Sequence, residues 1–300
     1  MRPVTKIIFT DDHGVKFFGE GPFRLLLGVE KTGSLRAAAM EMEMAYSKAS
    51  KILKQAEANL GFPLTIRAAG GRDGGGSILT PEGKRWLQRY EAYRDACIKA
   101  NQALYRQFFP KTGCVIMASG LGKRFGSNKL MADFQEKPMI LRALAATEGL
   151  FSHRIVVTRH ESIASLCREQ DVDVVLHDLP NRNDTVRLGL EALGDLDCCM
   201  FLPGDQPLLR RETVAMLLER WSEAPGKIIR PAHGDTVGSP VLFPSWAFPE
   251  LKSLPEGKGG STVVRDHPHD VLHVSVADPY ELADADTPET LEVLKGLCHD

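Results

Sequence analysis

The sequence predicts an α/β protein with a mostly parallel sheet, preceded by a smaller helical domain that carries a β-hairpin. From residue 114 onward, short apolar runs alternate with segments of helical period, which is typical of strands and helices around a parallel sheet. Before residue 110, segments of helical period dominate. A long helical pattern stops near Pro110, so we place the domain boundary between residues 110 and 111.

Composition excludes several classes of protein. The chain has 300 residues, of which 43% are hydrophobic and 25% charged, so a wholly disordered or fibrous chain is excluded. The sequence shows neither a membrane-spanning apolar stretch nor an export signal, and its 6 cysteines form no CxxC pair. We therefore expect a cytoplasmic protein with reduced thiols and no membrane partner.

The small net charge of −2 hides an asymmetry along the chain. Residues 1–110 carry more basic than acidic side chains, and residues 111–300 carry more acidic than basic ones. A basic first domain and an acidic second domain indicate different partners.

Residues 22–60 have the pattern of a helix-turn-helix. Helical spacing predicts helices over 22–32, 35–42 and 47–60, and Ser34 is suited to cap the second one. The third helix carries Lys48 and Lys51 outside its apolar face, as a helix that reads DNA does. Lysines on a helix are more often a solvated surface, so the order of elements supports this interpretation more than the lysines do.

A β-hairpin and a long helix follow. Residues 64–67 and 77–80 flank a glycine-rich tip, which predicts a wing whose Arg67 and Arg72 meet phosphates. Pro81 then opens a helix of nearly 30 residues by its pattern. Its apolar positions recur at steps of four and three: Trp86, Tyr90, Tyr93, Cys97, Ala100 and Leu104. This spacing predicts a seam with a second copy of the chain, hence a homodimer and a dimerisation helix.

Residues 20–105 resemble the winged helix-turn-helix domain of molybdate-responsive ModE-type repressors, which are relatives of the LysR-type regulators. The matching stretches are residues 32–38, 46–49, 67–76 and 79–83. The resemblance implies that residues 1–110 bind duplex DNA through Lys48, Lys51, Arg67 and Arg72. The molybdate-binding domains of that family are not seen after this segment, so molybdate sensing is not carried over.

A glycine-rich turn begins the second domain. Residues 114–118 predict a buried strand, and a turn with closely spaced glycines follows it. Such a turn lets backbone N–H groups approach phosphate oxygens, and Lys123, Arg124 and Lys129 add cations for a triphosphate. The Walker A pattern is absent. The predicted nucleotide-binding residues of this segment are Ala118, Ser119, Gly120, Leu121, Gly122 and Lys123.

Acidic residues at two places predict a magnesium site. Asp205 follows the apolar strand pattern 198–202, where a carboxylate is placed to hold Mg²⁺ against nucleotide phosphates. The alternative is an aspartate in a turn, which the sequence 203–207 also permits. A second acidic group, 284–289, contains Asp286. Either Asp286 or Thr287 caps a helix beginning near Pro288, and the other interpretation is that Asp286 holds the metal at the entrance of this helix.

The motifs of residues 113–297, taken in order, resemble the MobA-like nucleotidyltransferases, and most closely the MocA-like molybdenum cofactor cytidylyltransferases. The stretches that carry the resemblance are 118–130, 137–138, 203–207, 238–243 and 284–289. The chain departs from the family pattern at Ser119, where alanine or glycine is usual, and at Ser239, where histidine is frequent.

The resemblance implies a Rossmann-like sheet and the reaction of CTP with molybdopterin cofactor to give the cytosine dinucleotide cofactor and pyrophosphate. It implies catalytic roles for Arg124, Lys129 and Asp205, with Mg²⁺ held by Asp205 and Asp286. The further residues it assigns are Asn183, Thr185 and Pro203 for the nucleotide, and Gly238, Ser239 and Pro240 for the acceptor.

Other functions stay open from the sequence. The protein is alternatively a transcription regulator whose second domain senses a nucleotide or cofactor, or a guanylyl or sugar-phosphate nucleotidyltransferase. The presence of Arg124, Lys129, Asp205 and Asp286 together favours an enzyme.

Overall fold

The computed structural model describes residues 3–68, 76–120, 125 and 128–297. The predictions on Arg72, Leu121, Gly122, Lys123 and Arg124 lie outside these residues. The chain divides into two compact units, residues 1–108 and residues 109–300. Within the described residues, no helix has both the length and the apolar character needed to cross a membrane.

The first unit is a helix-turn-helix with a wing and a long helix. Its elements are β1 Phe9–Thr10, β2 Lys16–Phe18, α1 Glu20–Thr32, α2 Leu35–Glu41, α3 Tyr46–Leu60, β3 Thr65–Ala68, β4 Gly76–Leu79 and α4 Pro81–Phe108. The predicted helices and hairpin are confirmed. Ser34 caps α2 by accepting a hydrogen bond from the Ala37 amide at 3.3 Å. The amide of Gly83 donates to Thr80 Oγ1 at 2.8 Å, which caps α4.

The β1–β2 hairpin was not predicted, and it covers the first part of α4. The Phe9 ring centroid lies 5.6 Å from that of Trp86, and the Phe18 centroid lies 4.9 Å from that of Tyr90. Tyr90 is only 2% exposed. The prediction that Trp86 and Tyr90 face a second copy is therefore wrong, because aromatic rings of the same chain already pack against them.

The wing packs on α4 through a close backbone approach at Gly83. A Cβ built on Gly83 would lie 2.2 Å from the carbonyl oxygen of Leu64, which precedes β3 and is fully buried. Leu64 O also accepts a hydrogen bond from the Thr80 amide at 3.0 Å, so a shift of this oxygen would break that hydrogen bond. Only a residue without a side chain fits here.

Gly83→Ala is expected to destabilise the chain by about 1–3 kcal/mol, since the new methyl group forces backbone apart in a packed core. Thermal unfolding of the full chain, followed by circular dichroism, measures the change. Gly21→Ala is the control, because no atom lies within 4 Å of the Cβ built at Gly21. Equal melting of the Gly83 and Gly21 variants would contradict the expectation.

The second unit is a sheet with helices on both faces. Its elements are β5 Thr112–Ala118, β6 Asp133–Phe134, β7 Lys137–Pro138, α5 Ile140–Thr147, β8 His153–Thr158, α6 Glu161–Glu169, β9 Asp173–Leu176, α7 Arg182–Leu193, β10 Cys198–Pro203, α8 Arg211–Glu223, β11 Ile228–His233, β12 Thr236–Val237, β13 Val241–Pro244, α9 Phe248–Lys252, α10 Ser261–Asp266, β14 Val271–Ser275 and α11 Pro288–Leu297. The small strands β6 and β7 pair apart from the main sheet.

The strand order in the main sheet is β12-β11-β13-β10-β5-β8-β9, with β14 beside β11. Strands β10, β5, β8 and β9 run parallel, which confirms the predicted fold class. Strand β13 was not predicted, and it lies antiparallel between β10 and β11. The central strands are buried on both faces: Cys114 and Ile116 join one core cluster, and Val115 joins the other.

Candidate functional site

The carboxyl ends of β5, β8, β9 and β10 open into a cavity of about 560 Å³. In sheets of parallel strands, ligands bind beyond the carboxyl ends of the strands. The predicted site residues that line the cavity are Ser119, Gly120, Lys129, Thr185, Pro203, Asp205, Ser239 and Asp286. Folding thus brings together groups that are far apart along the chain.

Lys129 joins two carboxylates at the centre of this site. Its Nζ lies 2.5 Å from Asp205 Oδ2 and 2.9 Å from Asp286 Oδ1. Burial acts to lower the pKa of Lys129, but the charges and hydrogen bonds of the two aspartates outweigh burial and raise it. Lys129 therefore stays charged at the wall of the cavity.

Asp286 and Thr287 divide the roles that the sequence left open. The Thr290 amide donates to Thr287 Oγ1 at 3.2 Å, so Thr287 caps α11. The Asp286 carboxylate instead contacts Lys129 at the cavity.

Asp284 is a further carboxylate of the cavity wall that was not predicted as a site residue. Burial raises the pKa of Asp284, and the nearby charge of Asp205 raises it further, while a hydrogen bond from Gln206 opposes both. The carboxylates at this wall repel one another, so a cation among them is favoured. Its spacing of two residues from Asp286 is the sequence signal that could have found it.

The donor set fits a magnesium ion that a nucleotide brings with it. Mg²⁺ in proteins is usually held by one or two carboxylates together with substrate phosphates and water. Asp205 and Asp286 offer such oxygens on one wall of the cavity. The described residues contain no group of three or more His, Cys, Asp or Glu side chains placed to hold a metal.

A buried glutamate holds the acidic segment in place. Glu281 is 4% exposed and accepts hydrogen bonds from the Arg210 amide at 3.2 Å and from Thr213 Oγ1 at 2.5 Å. These donors stand at the start of α8, where the helix favours negative charge. The Ala285 amide donates to Asp205 O at 2.8 Å, which ties the segment to the turn after β10.

Gly204 brings that turn against β5. Its amide donates to Met117 O at 3.1 Å, and a Cβ there would lie 2.9 Å from Ile140 Cδ1. The glycine thus allows Asp205 to stand close to the end of the neighbouring strand.

Some predicted residues do not reach the cavity with their side chains. The Asn183 amide binds the connection after α9, by donating to Leu254 O at 3.4 Å and accepting from the Gly257 amide at 3.2 Å. The prediction that Asn183 contacts the nucleotide lacks support for this reason. Ala118 is buried at the end of β5.

The predicted acceptor segment is 238–240. The Gly238 carbonyl accepts from the Arg230 guanidinium at 3.2 and 3.0 Å, and the Ser239–Pro240 peptide is cis. Among the cavity-lining residues this segment contributes Ser239.

Besides Asp284, three further polar residues of the cavity wall were missed by the sequence analysis: Arg159, Asn181 and Arg182. Arg159 directly follows β8, and Asn181 caps α7 after β9, so both stand at the same sheet edge as Ser119. Their positions just beyond predicted strands could have identified them.

The first unit presents a basic surface. Lys48 and Lys51 are exposed on α3, while Ala49 and Leu53 on the same helix are buried in the core. Arg67 is exposed on the wing. The predicted separation of basic and apolar faces on α3 is confirmed.

A family model for the MobA-like NTP transferase domain matches residues 114–271, which is more than half of the chain. The chain belongs to the MobA-like NTP transferases. A second model, for the bacterial regulatory helix-turn-helix proteins of the LysR family, matches residues 22–84. This protein is therefore a nucleotidyltransferase domain fused to a LysR/ModE-type helix-turn-helix.

Curated relatives match each part of this MobA-like transferase separately. The molybdenum-pterin-binding protein MopB of Rhodobacter capsulatus is 37% identical over 68 residues, which is 23% of this chain and 25% of that protein. A probable molybdenum cofactor guanylyltransferase of Aquifex aeolicus is 28% identical over 111 residues, which is 37% of this chain and 54% of that protein. The chain thus spans about a quarter and about half of these relatives.

Solved structures share the fold of the second unit. A nucleotidyl transferase from Methanothermobacter thermautotroptrophicus has a TM-score of 0.54 and 19% identity, and the match covers 62% of this chain and 97% of that one. At this identity the likeness shows the fold alone.

Proposed function

We propose that this MobA-like transferase is a Mg²⁺-dependent cytidylyltransferase that joins CTP to a molybdopterin-type acceptor, and that its first domain binds duplex DNA. The observation that carries the first part is the Lys129 ammonium between Asp205 and Asp286 at a cavity of about 560 Å³. A cation for phosphates beside carboxylates for Mg²⁺ is what nucleotidyl transfer requires.

In the proposed reaction, an oxygen of the acceptor's terminal phosphate attacks the α-phosphorus of CTP. A new oxygen–phosphorus bond forms, the bond between the α-phosphorus and its bridging oxygen breaks, and pyrophosphate leaves with the electron pair. The attacking phosphate oxygen is already anionic near neutral pH, so the chain does not have to supply a covalent nucleophile or a general base.

The residues of the chain position and neutralise the reactants. Lys129 would bind the triphosphate and stabilise charge on the leaving pyrophosphate, together with Arg124. Asp205 and Asp286 would hold Mg²⁺, which supplies charge neutralisation at the phosphates when bound. Ser119 and Gly120 would offer backbone groups to the nucleotide, and Ser239 would face the acceptor.

Different observations support the proposed acceptor and the proposed nucleotide. Relatives of both parts of the chain carry molybdenum pterin or molybdenum cofactor in their names, which supports a molybdopterin-type acceptor. CTP is favoured by the resemblance to MocA-like proteins. GTP is the second candidate, because one of these relatives is a probable guanylyltransferase.

Pyrophosphate release separates these possibilities. The full chain is assayed with CTP, GTP, ATP and UTP, each with and without molybdopterin cofactor and with and without Mg²⁺. Release that needs CTP, cofactor and Mg²⁺ together is the expected result. Release with GTP would favour the second candidate, and nucleotide binding without turnover of any triphosphate would favour a sensing regulator.

The proposed homodimer would form through the later part of α4. The Tyr93 ring stacks on Phe9 of the N-terminal hairpin, whereas Leu104 is 52% exposed and Phe108 is 71% exposed, so apolar surface follows the part of α4 that this hairpin covers. A second copy that packs its own α4 here would remove this surface from water.

Lys129→Ala is expected to weaken nucleotide binding at least about tenfold and to slow transfer by about 10²–10³, because it removes a cation where charge develops. It also leaves Asp205 and Asp286 without their shared partner. Titration with a non-hydrolysable CTP analogue and turnover rates measure the two effects. Arg124→Ala is expected to act in the same direction.

Lys252→Ala, at an exposed lysine that ends α9, is the control for the loss of one positive charge. Unchanged affinity and rate in the Lys129 variant would place the phosphate site elsewhere.

A further inference from the structure

The first two residues after β5 are each held by a histidine. Gly120 O lies 3.0 Å from Nε2 of His160, which stands two residues beyond β8. Ser119 Oγ lies 2.9 Å from Nε2 of His177, which directly follows β9. Ser119 and Gly120 both line the cavity, so the two histidines support the part of its wall that directly follows β5.

The surroundings fix which atom carries each proton. Ser119 Oγ donates its proton to Val157 O at 3.1 Å, so it accepts from His177. His177 therefore carries a proton on Nε2, while its Nδ1 is buried without a hydrogen-bond partner among the described residues. A carbonyl oxygen only accepts, so His160 Nε2 donates to Gly120 O.

The neighbouring strand completes the support. Thr158 Oγ1 donates to Ala118 O at 2.9 Å and accepts from the His160 amide at 3.1 Å. The His177 amide donates to Thr158 O at 3.1 Å. Side chains outside β5 thus form a hydrogen bond with each of the residues 118, 119 and 120. These bonds are additional to the backbone hydrogen bonds of the parallel sheet.

The Ser119–His177 bond gives a reason for the serine. Where the resembling family usually carries alanine or glycine, this chain has a hydroxyl group, and that hydroxyl binds a histidine that directly follows strand β9. A segment that binds phosphates through its backbone N–H groups binds more tightly when these groups are oriented before the ligand arrives. The hydrogen bond on the Ser119 side chain and the hydrogen bond on the Gly120 carbonyl both limit rotation of the backbone at these two residues.

We propose that His160 and His177 are positioning residues that hold Ser119 and Gly120 in the orientation that bound nucleotide needs. The inference rests on the proposed placement of a nucleoside triphosphate in this cavity. The histidines act through Ser119 and Gly120, and they need not touch the nucleotide themselves.

The Ser119–His177 tie should depend on pH. The charged groups near His177 are Arg159, Asp178, Asp184 and Arg187, and burial followed by the charge of Arg159 lowers the pKa of His177 below its usual 6.5. Protonation would put a second N–H, on Nδ1, in a buried place where the described part of the chain offers no acceptor.

The sign of the pH effect follows from the lowered pKa. In the unfolded chain His177 takes up its proton near pH 6.5, before the folded chain does, so stability falls as pH drops below that value. Nucleotide affinity is expected to fall at lower pH, where His177 of the folded chain takes up its proton, because the protonated histidine disfavours the ordered segment.

The test measures affinity of the full chain for CTP with Mg²⁺ by calorimetry, and repeats it with GTP. Ser119→Ala and His177→Ala are each expected to raise the Kd about fivefold to tenfold, as for one lost hydrogen bond. Because both remove the same bond, the double variant should be no weaker than either single variant. His160→Ala should weaken binding separately.

His177→Gln supplies the conservative rescue. Its amide nitrogen is able to donate to Ser119 but does not titrate, so it should recover most of the affinity at pH 7.5 and lose the weakening that the wild-type chain shows at low pH. His153→Ala is the matched control, since His153 is exposed at the amino end of the same strand β8.

The outcomes separate this inference from the function on which it rests. Wild-type affinity for either nucleotide in the folded Ser119 and His177 variants, or additive effects in the double variant, would overturn it. If His177→Ala does not fold, the affinity of Ser119→Ala and the pH dependence of His177→Gln test the positioning role instead. A wild-type chain that binds neither CTP nor GTP would overturn the proposed function as well.

Discussion

Asp205→Asn is expected to abolish nucleotidyl transfer, with a loss of at least about a thousandfold, while the fold stays intact. The change keeps the size of the side chain but removes the charge that pairs with Lys129 and that Mg²⁺ requires. Asp205 is half-buried in a turn after β10 whose backbone bonds do not involve its carboxylate. Pyrophosphate release and circular dichroism are measured on the same samples.

Asp195→Asn provides a matched control for this variant. Asp195 forms an ion pair with Lys111 at 3.3 Å, but both side chains are more than half exposed, and exposed pairs of this kind contribute little. The control should keep wild-type turnover. A well-folded Asp205→Asn protein with undiminished turnover would remove Asp205 from the site and, with it, the proposed metal ligand set.

Elements with an unbroken periodic pattern were predicted well from the sequence, and elements that owe their form to neighbours were not. Helix α3 and strand β10 carry their apolar pattern over their whole lengths, and both were found within one residue. Strand β13 is short, begins after Pro240 and ends at Pro244, so nothing local marks it. It exists because β10 and β11 pair with it on either side.

The candidate site divides in the same way. Asp205 and Ser119 were predicted because each follows an apolar strand, and parallel strands end at one edge. The meeting of Lys129 with Asp286 joins residues 157 positions apart, which local patterns do not reveal. The contacts of Asn183 were not predicted for the same reason, because its partners Leu254 and Gly257 lie far along the chain.

The heptad pattern of α4 shows how periodicity alone misleads about a partner. The spacing correctly predicts an apolar face, but it does not say which surface covers that face. Phe9 and Phe18 cover Tyr90 from within the chain, whereas Leu104 remains 52% exposed. The seam with a second copy is therefore proposed only for the later turns of the helix.

Replacing Lys48 and Lys51 together by glutamate is expected to weaken DNA binding on the order of a hundredfold or more, while transfer activity and dimerisation persist. Both lysines are exposed on α3, and each reversal turns a phosphate attraction into a repulsion. Gel-shift titration across salt concentrations measures affinity, and sedimentation on the same samples measures the oligomeric state. The wild-type affinity itself should fall steeply with salt.

Lys84→Glu with Lys99→Glu is the charge-matched control, since both lysines are exposed on α4 rather than on α3. The two double variants alter net charge equally, so a loss confined to the α3 variant assigns binding to that helix and not to overall charge. Two copies of one reading helix would favour a near-palindromic site with half-sites about one helical turn apart. A dimer that shifts no genomic fragment would refute the DNA role, and a monomer in sedimentation would refute the seam, because these properties depend on different faces of the first domain.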